Sequence, residues 1–168
     1  MDTGTLVVGV ILLLLLISPF ILFGAKGKKT KEKNLLKMLD DMASRNNNTI
    51  RDHQYWNHSA IGIDSGNKML FYCYKSDTQT YDRVYKLSEI QSCHVDIIRH
   101  KAGTKGEEQQ VIDSISIVLE FKEKKRVDAR LMFYDSETDS LNLNNELQLA
   151  ETWAKTISDI ISHKKQEG

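Results

Sequence analysis

The side chains in this chain that most often do chemistry are five histidines, two cysteines and several grouped acids. His94 and His100 are six residues apart on or near one predicted strand, so we expect them to share a face. His53 and His58 are five residues apart on irregular chain, and His163 lies at the end of the predicted last helix. These spacings favour surface or packing roles over metal binding.

Acidic side chains occur as adjacent or alternating sets, a pattern that can serve acid–base catalysis or metal binding. Asp135, Glu137 and Asp139 alternate as in a calcium loop, but the glycine and terminal glutamate of that motif are missing. The sequence has no phosphate-binding loop, nucleophile elbow, zinc-protease motif or dinucleotide-binding fingerprint. We therefore expect no catalytic residue, metal or cofactor. An enzyme whose active-site residues are dispersed along the sequence is a further possibility.

The cysteines and the charge balance restrict the class of protein further. Cys73 and Cys93 lie in apolar, strand-like runs, where a free thiol behaves as a small hydrophobic residue. A cytoplasmic location keeps them reduced, and an external one makes them a candidate disulfide pair. Basic and acidic residues number 23 each, but five lysines are clustered near the N-terminus, so the remainder is slightly acidic. Nucleic-acid binding, which usually needs a basic patch, is therefore not expected.

The N-terminal segment carries the strongest compositional signal. Residues 5–23 (TLVVGVILLLLLISPFILF) contain no charged side chain and nearly reach the roughly 20 apolar residues that cross a bilayer. Because cationic flanks stay in the cytoplasm, the lysines that follow predict a single-pass inner or plasma membrane protein with its N-terminus outside and its body in the cytoplasm. A cleaved signal peptide is the main alternative. The flanking lysines are Lys26, Lys28, Lys29, Lys31 and Lys33.

After this segment, apolar residues first recur with the spacing of a helix and then at every second position, as in a strand. Residues 33–45 predict a short amphipathic helix with Leu35, Leu39 and Met42 on one face, interpreted as a spacer. A second amphipathic helix is predicted from about residue 141 to residue 163. Alternating apolar and polar residues between them predict antiparallel strands. These strands are 59–64, 69–74, 80–87, 91–99, 112–121 and 127–134.

This pattern resembles the pleckstrin-homology-like architecture of bacterial proteins. The resemblance rests on the hairpin SAIGID–SGNK–MLFYCY, the corner LSEI, the strand–turn–strand SISIVLEFKEKKRVDARLMFY and the helix ELQLAETWAKTIS. It implies an α+β fold, with a small antiparallel β-roll or barrel closed by a C-terminal amphipathic helix and preceded by a single transmembrane helix and a short spacer helix. A lipocalin-like barrel or another small β-roll is the alternative. Members that bind phosphoinositides carry a basic cluster at the first hairpin, where this chain has only Lys68 and Lys75 with Asp64, so headgroup binding is not implied.

The predicted domain organisation has six segments. They are an extracytoplasmic N-terminus (1–4), the transmembrane helix (5–23), a basic juxtamembrane segment (24–33), the spacer helix and loop (34–48), the pleckstrin-homology-like domain with its C-terminal helix (49–164) and a tail (165–168).

The absence of a catalytic constellation favours a membrane-tethered adaptor or scaffold whose cytoplasmic domain binds a protein partner. The alternative is a domain at the inner leaflet that binds a small molecule or lipid inside the β-roll. The expected partners are the lipid bilayer, through the N-terminal helix, and a protein, but not nucleic acid. The expected protein contact surface joins one strand to the exposed face of the last helix, at Val84, Tyr85, Lys86, Glu146, Glu151 and Lys155.

Overall fold

A computed structural model of the protein describes residues 30–76, 78–103, 109–139 and 143–162. The chain divides into two compact units, Met1–Asn34 and Leu35–Gly168. In the first unit the described residues, 30–34, are helical. The second unit is an α+β domain with two antiparallel sheets and a helix after the last strand.

Seven strands form the two sheets in simple chain order. The first sheet contains β1 (Asp52–Trp56), β2 (Ser59–Asp64), β3 (Met69–Lys75) and β4 (Thr80–Lys86), and the second contains β5 (Ile90–Ala102), β6 (Gln109–Phe121) and β7 (Ala129–Asp135). A single 3-10 turn, Leu87–Glu89, joins the sheets. Helix α1 covers residues 30–45 and helix α2 covers Glu146–Ser162.

The first sheet is buried on both faces in its central strands. Every residue of β2 is buried, and so are five of the seven residues of β3. Leu35, Leu39 and Met42 of α1 pack with Phe71 and Cys73 on one face. The helix predicted as a spacer therefore belongs, from Leu35 onward, to the core of the domain. Its apolar stripe requires a partner surface, and the small and apolar side chains of β2 and β3 provide one.

The main core lies between the two sheets and is closed by α2. The rings of Trp56 and Phe133 stack with centroids 4.2 Å apart. The fully buried side chains of Tyr72 and Ile117 pack in the same cluster, as does Ile157 of α2. Because side chains occupy this space, nothing here favours the predicted use of the interior for a small molecule or lipid.

The predicted strands and both helices are present, with ends that shift by a few residues. Strand β1 was not predicted, because DHQYW has no clear alternation and follows a run of asparagines. The predicted closed roll or barrel is wrong, since β4 and β5 belong to different sheets and do not pair. The turn at Leu87–Glu89 redirects the chain between them, so each sheet keeps two edges.

The predicted transmembrane helix, residues 5–23, lies outside the described residues, as do Lys26, Lys28 and Lys29. Within the described ranges no helix is both long and apolar enough to cross a membrane. This finding corrects the prediction of a single-pass inner or plasma membrane protein. It also corrects the location and the orientation that were derived from that prediction. Lys31 and Lys33, the other predicted flanking lysines, are exposed on α1.

Candidate functional site

The six residues of the predicted contact surface lie in different environments. Lys86, Glu151 and Lys155 are exposed. Tyr85 is buried in the core between the sheets, and Val84 is half-buried against the α1 side of the first sheet. Glu146 is also buried, at the start of α2. The two β4 residues Val84 and Tyr85 therefore point to opposite faces of the sheet, as alternation requires.

The buried carboxylate of Glu146 accepts three hydrogen bonds from within the domain. Its Oε2 accepts the N–H groups of Asn144 at 2.6 Å and Asn145 at 3.1 Å, and its Oε1 accepts Nδ2 of Asn57 at 3.3 Å. The main-chain N–H groups at the start of a helix have no preceding turn whose carbonyl groups could accept them. The Glu146 carboxylate accepts two such N–H groups instead. An open depression of about 270 Å³ lies beside it, bounded by the first residues of α2. The carboxylate thus anchors α2 to the β1–β2 turn.

The two histidines of β5 do share a face, as predicted, and each lies beside a carboxylate of β6. His94 Nδ1 is 3.7 Å from Glu120 Oε1, and His100 Nδ1 is 2.5 Å from Asp113 Oδ1. Between them, Arg130 of β7 pairs with Asp96. All these side chains are at least one-third exposed, and exposed pairs of this kind contribute at most about 1 kcal/mol each.

The alternating acids after β7 form a turn. Asp135 Oδ1 accepts the N–H of Glu137, and Asp139 Oδ2 accepts the N–H of Asp135, both at 3.0 Å. Burial raises the pKa of Asp139 above its usual value. In the ranges that the structure describes, no group of three or more His, Cys, Asp or Glu side chains is arranged to hold a metal ion.

The two cysteines are free thiols on different faces of the fold. Cys73 packs under α1, where its Sγ lies 3.6 Å from the carbonyl oxygen of Leu35. Cys93 packs against the core between the sheets. Burial raises the pKa of each thiol to about 12. Both positions are those of inert packing cysteines, because the thiolate is the reactive form.

Among the described residues, strand β4 has a partner strand on one side only, so a row of its main-chain groups lies along one edge of the first sheet. The Ser76 N–H donates to Gln79 O and the Leu87 N–H donates to Lys68 O, each at 2.8 Å. In an antiparallel ladder, hydrogen-bonded pairs of residues alternate with non-hydrogen-bonded pairs. These two bonds mark hydrogen-bonded pairs at the two ends of β4, and they therefore determine which residues of β4 direct their N–H and C=O groups toward β3. The register then directs the main-chain groups of alternate residues away from β3. We call this row the β4 edge, and it comprises Thr80, Asp82, Val84 and Lys86.

The other three edge strands are shorter or partly occupied. On β7, Met132 O accepts the hydroxyl of Tyr72 at 2.9 Å. On β5, Cys93 O accepts the hydroxyl of Ser158 at 3.5 Å. Strand β1 has five residues and begins with exposed Asp52. On the β4 edge, within the described chain, the only bond to an outward main-chain group is the one that Arg83 makes to the carbonyl of its neighbour.

No protein-family model, curated protein or solved structure matches the chain. The resemblance to the pleckstrin-homology-like family is therefore corrected: the fold is an α+β arrangement of two antiparallel sheets and a C-terminal helix, and no family assignment accompanies it. The bacterial origin that this resemblance suggested is withdrawn with it.

Sequence reasoning missed two polar groups that the fold depends on. Asp64 accepts the N–H groups of Thr49 and Asn67, each at 3.0 Å, and Nδ2 of Asn67 at 2.9 Å. The bond from the Asn67 N–H, followed by that from Thr49, lowers the pKa of Asp64 to about 2. The DSGN turn was visible in the sequence, but the bond to Thr49 was not, because it joins segments 15 residues apart. The anchoring role of Glu146 was hidden for the same reason.

Proposed function

We propose that this protein is a non-catalytic adaptor or scaffold that binds a protein partner by adding an extended segment of that partner to the β4 edge. The observation that carries the proposal is the row of outward main-chain groups on β4, which have no partner strand among the described residues. Strand addition is a common mode of peptide recognition, in which main-chain bonds supply affinity and alternate side chains supply specificity.

The side chains beside the β4 edge suit an alternating partner. On the α1 side, the half-buried Val84 is adjacent to an apolar cluster that includes Met69 and Phe71. On the opposite face, Tyr81 is half-buried and stacks on Tyr74 with centroids 5.1 Å apart. An added strand would therefore place apolar side chains against both faces. Each cross-strand contact of this kind contributes about 0.2–1 kcal/mol.

The test uses a pair of variants at Asp82, whose main-chain N–H points away from β3. Asp82→Pro removes that donor, and proline is tolerated on an edge strand at such a position. Asp82→Ala removes the side chain and keeps the donor, so it is the matched control. We expect the full-length wild type and the Asp82→Ala variant to retain the same specific protein in affinity capture, and the Asp82→Pro variant to lose it.

Amide hydrogen exchange on the wild type tests the same proposal without a substitution. Addition of the captured partner should slow exchange at Asp82, Val84 and Lys86, whose N–H groups become hydrogen-bonded. Equal capture by both Asp82 variants, with unchanged exchange along β4, would contradict strand addition at this edge.

A further inference from the structure

The turn between β6 and β7 is rich in cations. Four of the seven residues between these strands are cations and two, Glu123 and Asp128, are acids. We call residues 122–127 the basic tip: Lys122, Glu123, Lys124, Lys125, Arg126 and Val127. Val127 is 86% exposed, so the tip also ends in an unprotected apolar side chain. The remainder of the domain is slightly acidic, so this concentration of positive charge is local.

The basic tip is held against the 3-10 turn that directly follows β4. The Lys122 N–H donates to Glu89 O at 2.9 Å, and the Lys122 Nζ donates to Ser88 O at 2.7 Å. The guanidinium of Arg126 pairs with Glu89 Oε2 at 2.6 Å and lies 3.7 Å from the centroid of the Phe121 ring. These contacts give the tip one orientation relative to the turn.

The same contacts bring the tip to the C-terminal end of the β4 edge. The ring of Phe121 lies 6.1 Å from the ring of Tyr85. Burial raises the pKa of the Tyr85 hydroxyl, and the positive charges of Arg83 and Arg126 partly oppose this shift. Lys86, the last residue of β4, adds another exposed cation. At its opposite end β4 begins with the uncharged Thr80, whose register partner on β3, the exposed Lys75, is a single cation there.

Only part of this positive charge is neutralised within the domain. Arg126 is paired with Glu89, but Lys124 and Lys125 are exposed and make no ion pair among the described residues. A strand added antiparallel to β4, as all neighbours in this sheet are antiparallel, would have its N-terminal end beside these lysines. Opposite charges at that point favour binding, and like charges oppose it.

We infer that the partner segment is acidic at the end that lies beside the basic tip, so that the domain selects an extended peptide with acidic residues followed by alternating apolar residues. This inference rests on the proposed function, since it concerns the same edge. Electrostatic complementarity of this type contributes specificity and a defined direction of binding. The tip thus orients the partner, while the β4 edge holds its main chain.

The experiment compares three synthetic peptides on the full-length protein by fluorescence anisotropy. The first, EDETVTVTVT, is acidic at its N-terminal end, the second, QNQTVTVTVT, is its neutral counterpart, and the third, TVTVTVTEDE, carries the acids at the other end. We expect the first to bind about tenfold more tightly than the other two, the combined effect of a few exposed ion pairs. The advantage should shrink as salt is added.

Two double variants identify the charges responsible. Lys124→Glu with Lys125→Glu should abolish the preference for the first peptide. Lys37→Glu with Arg99→Glu changes the net charge by the same amount at exposed positions of α1 and β5, and should preserve it.

Amide exchange in the same samples separates the inference from the proposed function. If all three peptides slow exchange at Asp82 and Val84 and bind equally, the acidic preference is overturned and strand addition stands. If none of them slows exchange at these residues, the proposed function fails, and the inference fails with it.

Discussion

Replacement of Tyr72 by phenylalanine removes one hydroxyl from the centre of the domain and leaves the ring in place. Tyr72 has no exposed surface, and its hydroxyl donates to Met132 O at 2.9 Å and lies 3.0 Å from the hydroxyl oxygen of Ser59. Because Met132 is on β7 and Tyr72 is on β3, this group links the two sheets. Burial raises the pKa of the hydroxyl well above its usual value, so it is a neutral donor at every pH of interest.

The expected cost follows from these contacts. A typical buried hydrogen bond contributes about 1 kcal/mol, and an orphaned carbonyl costs about 1–3 kcal/mol. The hydroxyl of Ser59 is 3.4 Å from Met132 O and compensates part of this loss. We therefore expect Tyr72→Phe to lower the free energy of unfolding by about 1–2 kcal/mol. For a domain of this size that corresponds to a decrease in Tm of about 4–8 °C.

The assay is urea unfolding followed by tryptophan fluorescence. Both tryptophans, Trp56 and Trp153, are 7% exposed in the core, so their emission reports the loss of tertiary packing. Tyr74→Phe is the matched control: it makes the same chemical change two residues along the same strand, at a hydroxyl with no hydrogen bond to a described residue. We expect the control to change the stability by less than about 0.5 kcal/mol.

Equal stability of Tyr72→Phe and Tyr74→Phe would refute the reasoning, since it would mean that the bonds to Ser59 and Met132 only offset the cost of burying the hydroxyl. A double-mutant cycle with Ser59→Ala then measures the coupling directly. We expect about 0.5–1 kcal/mol of coupling between Tyr72 and Ser59, because they share one acceptor.

Three further predictions concern other parts of the fold. Leu39→Ala should lower the free energy of unfolding by about 2–5 kcal/mol, because this fully buried side chain joins α1 to the first sheet; an unchanged urea midpoint would mean that the helix contributes little to the domain. Cys73 and Cys93 should both resist thiol labelling at pH 8 until urea is added, since their pKa values are raised to about 12; rapid labelling of native protein would contradict these raised pKa values. Asp64, whose pKa is lowered from 3.8 to about 2, should stabilise the fold fully above pH 4 and lose this effect as the pH falls toward 2. The stability difference between wild type and Asp64→Asn should therefore decrease over that pH range, and a difference independent of pH would exclude the carboxylate as its source.

Local patterns in the sequence predicted most of the secondary structure. The alternation of Ile115, Ile117, Leu119 and Phe121 identified the inward face of β6, and the stripe on α2 identified the side that packs against the core. Both are properties of neighbouring residues in the chain, since side chains of a strand alternate and those of a helix recur every three or four positions. Strand β1 has neither pattern and was missed.

The candidate site was much less predictable. Val84, Tyr85 and Lys86 were correctly placed on a strand, but nothing local indicates that β4 is an edge or which of its groups face outward. That depends on the break between β4 and β5, and therefore on the turn at Leu87–Glu89. The prediction that Glu146 is exposed failed because its partner Asn57 lies 89 residues away in the chain.

The sequence by itself determined which residues form strands and helices and which of their faces are apolar. The tertiary structure alone decided what covers each face: α1 on the first sheet, and α2 with the second sheet on the other side. It also decided that the basic tip lies at the end of β4, through contacts of Lys122 and Arg126 with Glu89. The physical reason is that hydrophobic burial is non-directional, so a pattern specifies that a face is buried, whereas complementary packing between distant segments specifies its partner.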